Sequence, residues 1–163
     1  MATLIGTQEN QPVNDNATID PFEHVLIAGD PGGDTVTISF NAANGILVDP
    51  NAPSDNSVFE VLNGIGTYTV NLSDAQLTAW VDALQFVPTA HQVAPGQTVT
   101  TGFTIQVQSA FGFLTLTDNA TSVIATAVGP IISGTQPNQA VNDNATIDPF
   151  ARPHSNERSQ RDA

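Results

Sequence analysis

Apolar and polar residues alternate through much of this chain. In TVTISF, Val36, Ile38 and Phe40 share one face against Thr35, Thr37 and Ser39. In GTYTVNL, Tyr68, Val70 and Leu72 oppose Thr67, Thr69 and Asn71, and in GFTIQVQ, Phe103, Ile105 and Val107 oppose Thr104, Gln106 and Gln108. Period 2 is strand periodicity, because successive side chains of an extended backbone point to opposite faces. EHVLIAG, GILV, SVFEVL, LQFVP, FLTLT and TSVIATAV read as further short strands. Between them lie GDPGGD, NAANG, DPNAPSDN, NGIG, APGQ and SAFG, built from the residues that tight turns demand. Short strands punctuated in this way predict an all-β fold, an antiparallel sandwich of Ig-like type.

One segment breaks the alternation. LSDAQLTAWVDAL places Ser73 at an N-cap with Gln76 three residues on, the spacing of a capping box. Leu77, Trp80, Val81 and Leu84 then fall on one stripe at helical spacing. This predicts a short helix at about 74–84 crossing the sandwich. Trp80, the only Trp, is expected as a core plug beneath it; a platform for a sugar is the competing role.

Residues 6–22, GTQENQPVNDNATIDPF, return at 134–150 as GTQPNQAVNDNATIDPF, an offset of 128. Only Glu9/Pro137 and Pro12/Ala140 differ. A period of this length is the size of a domain, well above the roughly 20–50 residues of a solenoid repeat. The expected organisation is one complete β-sandwich repeat at 1–133, the opening strand of a second, truncated repeat at 134–150, and a disordered tail at 151–163. The tail departs abruptly in composition: Arg152, Arg158 and Arg161 are the only basic residues besides histidine in all 163 positions.

That charge distribution changes the picture of partners. Of 16 acidic residues only Glu157 and Asp162 follow residue 150, which leaves 14 in a body without Lys or Arg. Nucleic acid and anionic membrane surfaces are repelled by such a body. Cations are favoured, calcium above all, because its ligands are carboxylate and carbonyl oxygens; solubility alone is the other use of an acidic surface. There is no cysteine, so disulfides, thiolate metal sites and Cys nucleophiles are excluded. No stretch approaches the ~20 apolar residues of a transmembrane helix. Met1 is followed by ATLIGTQENQ, which has neither the basic nor the apolar region of a signal peptide.

The candidate cation ligands lie in loops. Asn14, Asp15 and Asn16 resemble part of the Asp-x-Asn-Asp-Asn linker of cadherins, in which calcium stiffens the junction between consecutive sandwich domains. The leading Asp of that pattern is Pro12 here and Ala140 in the second copy, and no Asp-x-Asp occurs. Over residues 1–150, the NDN block, GDPGGDTVTI, NGIGTYTV and FVPTAHQVAPGQTVTTGFTIQV are similar to the cadherin-like and Ig-like tandem repeats of large secreted bacterial surface proteins, adhesins with repeats-in-toxin modules among them. The resemblance implies a β-sandwich, a secreted or cell-surface location and a role in adhesion, and it carries over no catalytic residue. Asp30 and Asp34 in GDPGGD form a loop that either binds calcium or simply turns. Asp20 and Asp118 are further acidic loop candidates.

His24 and His91 are the only histidines of the body, and neither belongs to a metal or catalytic motif. An enzyme is not expected. The expectation is a structural, adhesive, extracellular repeat stiffened by calcium, with neighbouring repeats as partners and no membrane insertion. A β-sandwich that binds polysaccharide or another ligand is the alternative, and Trp80 exposed beside Tyr68 would favour it. Residues 134–150 add a further expectation, weak head-to-tail self-association, because they match the segment that fills a slot in the complete repeat.

Overall fold

The computed structural model describes residues 3–28, 33–52, 54, 56–110, 115–130 and 141–145. The chain divides into two compact units, Met1–Gly129 and Pro130–Ala163. The tail at 151–163, most of the second copy of the repeat, and Asp30 lie outside the described residues.

Eleven strands and one α-helix are described in the first unit. They run β1 (Thr3–Ile5), β2 (Gln11–Asn14), β3 (Leu26–Ala28), β4 (Asp34–Asn41), β5 (Gly45–Val48), β6 (Val58–Leu62), β7 (Ile65–Leu72), α1 (Asp74–Ala83), β8 (Gln85–Pro88), β9 (Thr98–Ser109), β10 (Thr115–Asp118) and β11 (Ser122–Thr126). The main sheet has the order β2-β11-β9-β4-β7-β6, with β10 also on β9. Every pairing in it is antiparallel except β2 with β11. β9 is long enough to serve two partners on one side: its first half pairs β11 and its second half β10. The pairs β1-β3 and β5-β8 complete the strands. This is the antiparallel, Ig-like sandwich that the alternation predicts.

The period-2 reading gives the core directly. Val36, Ile38 and Phe40 of β4, Val70 of β7, and Phe103, Ile105 and Val107 of β9 are all buried. They face Phe22, Ile27, Leu47 and Phe86, together with the predicted helix stripe, Leu77, Trp80, Val81 and Leu84. Rings of Phe22, Phe40, Phe86 and Phe103 stack edge-on or tilted through the centre, with centroids 5.2–6.0 Å apart. Such pairs add to the burial of apolar area. The helix begins where its cap predicts: Gln76 Oε1 accepts from Ser73 Oγ at 2.6 Å, and the Ser73 carbonyl accepts from Gln76 N and Leu77 N.

Two strands depart from simple alternation. EHVLIAG forms only the three residues of β3, because the backbone before it turns: Val25 N donates to Phe22 O at 2.8 Å. In SVFEVL, Val58–Leu62 form β6, an edge of the main sheet, exposed along its whole length. Its hairpin to β7 turns on Asn63 and Gly64, both at positive φ (51° and 81°), as a two-residue turn matched to strand twist requires.

In the second unit, Ala145 N donates to Asn142 O at 3.0 Å. In the first, Ala17 N donates to Asn14 O at the same distance. The NDNA block therefore makes the same turn in both copies.

Candidate functional site

The first copy of the repeated block is built into the unit as an edge segment. Ser122 N donates to Gln8 O at 3.0 Å, Asn10 N to Ser122 Oγ at 2.8 Å, and Asp15 N to Thr126 O at 2.9 Å. Further on, Ile19 and Phe86 exchange both backbone bonds, at 3.0 and 2.7 Å. Phe22 ends the segment, wholly buried, with its ring edge-on to Phe103 at 5.2 Å. Pro12 is tolerated in β2 because β2 is an edge strand and this N faces away from β11, opposite in phase to Asp15 N.

Asp15 is the polar anchor of this segment. It is only 4% exposed. Its Oδ2 accepts from His91 N at 2.7 Å and its Oδ1 from Val128 N at 3.0 Å. Those two bonds, His91 first, hold its carboxyl below the usual carboxylate range. The imidazole Nδ1 of His91 stands 3.8 Å from Oδ2 and adds an ion pair when protonated. In the structure each oxygen of Asp15, one of the expected cation ligands, accepts from a backbone donor that arrives from 76 or 113 residues away. Its neighbours Asn14 and Asn16 are exposed, and the Asn14 carbonyl closes the turn to Ala17.

The other expected ligands are dispersed. Asp20 is exposed, and its carbonyl accepts from Glu23 N. Asp118 ends β10, and its Oδ1 accepts from Ala120 N at 2.9 Å, a local turn. Asp34 is different. It opens β4, is 0% exposed, and neither carboxylate oxygen has a hydrogen-bond partner among the described residues. Buried polar groups are almost always satisfied, so this one calls for an explanation. Among the described residues, no group of three or more His, Asp or Glu side chains is placed to hold a metal ion.

Two polar features escaped the sequence. Asp49, buried at the end of β5, accepts from Trp80 Nε1 at 2.7 Å, Ser57 Oγ at 3.0 Å and Asn51 N at 2.8 Å. It fixes the indole that the helix stripe buries. Asp82 on α1 is pushed above the usual carboxylate range, chiefly by burial, with Glu23 adding to the shift and His24 opposing it. His24 and Glu23 themselves are exposed.

The indole of Trp80 packs against Tyr68, with centroids 6.2 Å apart, and both residues are buried. They do not form an exposed aromatic pair. A surface pocket of about 330 Å³ beside Trp80 is lined by Asn51, Ser54, Asn56 and Gln76 together with Leu72 and Ala79. No helix among the described residues is long and apolar enough to cross a membrane.

No family model matches the chain, and no curated protein matches it. Among solved structures it is similar to the periplasmic chaperone SfaE, at 8% identity and a TM-score of 0.37 over 82% of this chain and 61% of that one. It is also similar to AggA, the major subunit of aggregative adherence fimbriae type I from Escherichia coli, at 11% identity and a TM-score of 0.27 over 78% of this chain and 93% of that one. The chain thus spans about three fifths of the chaperone's length. No functional property passes from either protein to this one.

Proposed function

We propose that this chain is a structural and adhesive repeat of an extracellular array on a bacterial surface, without a catalytic site, and that calcium stiffens it. One observation carries the array. Every position of 6–22 that is buried or half-buried, namely Thr7, Gln11, Val13, Asp15, Ile19, Pro21 and Phe22, is unchanged 128 residues later. The two changed positions, Glu9 and Pro12, are both exposed. A segment that returns at domain-sized spacing with every packing residue intact is one preserved for the same place in the same fold, which is how tandem repeats behave.

Asp34 supports calcium. An ionised carboxylate buried without a partner is costly, and a hard divalent cation is one way to offset that cost. Asp34 would supply the carboxylate, and the ion would tie the start of β4 to the strand ends beside it. At a hundredfold excess over Kd, one such site adds about 2.7 kcal/mol to stability.

Thermal unfolding in millimolar calcium against excess chelator tests this, with added sodium chloride as the control for screening among the acidic groups. Calcium is expected to raise Tm in the parent beyond the salt effect, and to do nothing for Asp34→Asn. An unchanged Tm in the parent contradicts calcium stiffening. An undiminished response in Asp34→Asn contradicts this site.

A further inference from the structure

We propose that the slot filled by residues 6–22 is also a docking site for residues 134–150 of a second copy of this chain. This inference rests on the repeat and not on calcium. Besides the β2–β11 pairing, the slot holds its occupant through Phe86, His91, Phe103, Ser122, Thr126 and Val128. The groups they hold come from Gln8, Asn10, Asp15, Ile19 and Phe22. The same residue types stand at Gln136, Asn138, Asp143, Ile147 and Phe150. Asn10 adopts φ 57°, a left-handed conformation that Asn tolerates better than most residues, and the second copy keeps Asn there too.

The described part of the second copy suits such an occupant. Its NDNA block already holds the turn of the first copy, Val141 is 49% exposed, and Asp143 is exposed. Exchange replaces each of these named contacts with its equal, so they favour neither copy. Tethering favours residues 6–22, through an effective concentration that for short connections reaches the order of millimolar. Chains at high concentration therefore compete. When residues 6–22 leave, β11 presents an open edge, and an incoming segment adds to it as a strand. Donor and acceptor surfaces differ, so the contact is head-to-tail and builds rings or open chains.

Light scattering on the full chain in excess chelator tests the exchange, with mass followed against concentration. Asp15→Ala weakens only the resident segment, so the intact second copy of a neighbour wins the slot; the mean mass is expected to rise roughly twofold or more. Asp15→Ala combined with Asp143→Ala weakens both and is expected to return the mass to that of the monomer. An unchanged mass in the single variant overturns the proposal. So does association in the double variant as strong as in the single, which would reflect loss of fold. A cysteine pair covers the case in which Asp15→Ala does not fold. β11 sets Ile124 opposite Pro12, whose counterpart is Ala140. Ile124→Cys with Ala140→Cys in the otherwise Cys-free parent is expected to give disulfides between chains that increase with concentration. Disulfides confined within one chain, or none, overturn the proposal.

Discussion

Trp80→Ala is expected to unfold roughly 10–20 °C below the parent. Trp80 is 3% exposed, packs against Tyr68, and donates to the buried carboxylate of Asp49. Truncation leaves a cavity beneath α1, at a cost of about 3–5 kcal/mol for a buried large aromatic. It also removes one donor from Asp49, which retains Ser57 Oγ and Asn51 N. Trp80→Phe restores most of the volume without the donor and is expected to recover more than half of the loss. Thermal denaturation followed by circular dichroism measures both. A Trp80→Ala protein as stable as the parent would place the indole outside the core and reopen the ligand-platform role.

Gly6→Ala is expected to destabilise the unit by roughly 3 kcal/mol or more. Gly6 holds φ +85°, and a Cβ there would lie 1.7 Å from the carbonyl oxygen of His24. The conformation alone costs about 1–3 kcal/mol for a residue with a side chain. The overlap adds to it, because a backbone carbonyl cannot swing aside as a side chain can. Gly64 separates the two contributions: it has φ +81° with nothing within 4 Å of its Cβ position. Gly64→Ala is therefore expected to cost only the conformational part, about 1–3 kcal/mol. Chemical denaturation of both variants reads the difference, and equal losses would show that the approach of His24 is not rigid.

The strands whose one face is buried were legible because alternation reports burial directly. β4, β7 and β9 carry it over 8, 8 and 12 residues, and α1 carries its stripe and cap in plain view. β6 was legible as a strand but not as an edge, since VFEVL has no polar phase to show which side meets water. The role of Asp15 was not legible. Its partners are backbone N–H groups of distant loops, and no side-chain pattern encodes them. Asp49 was hidden for the same reason, its indole donor lying 31 residues further along the chain. Asp34 could have been found. It falls in the inward phase of β4 with Val36, Ile38 and Phe40, so its burial is implied by the alternation that identified the strand. The Pro and Gly residues just before it carry the pattern of a turn, which masks that phase.

A structural period of 128 residues is tested most directly by scanning calorimetry of a chain in which residues 23–133 are appended after Phe150, so that the second copy of the block is followed by the rest of a repeat. If the block opens each repeat as residues 6–22 open the first, the longer chain has two folded units, and its unfolding enthalpy is about twice that of residues 1–133, in proportion to the folded residues. An enthalpy equal to that of the single unit, with the appended residues unfolded, would contradict it.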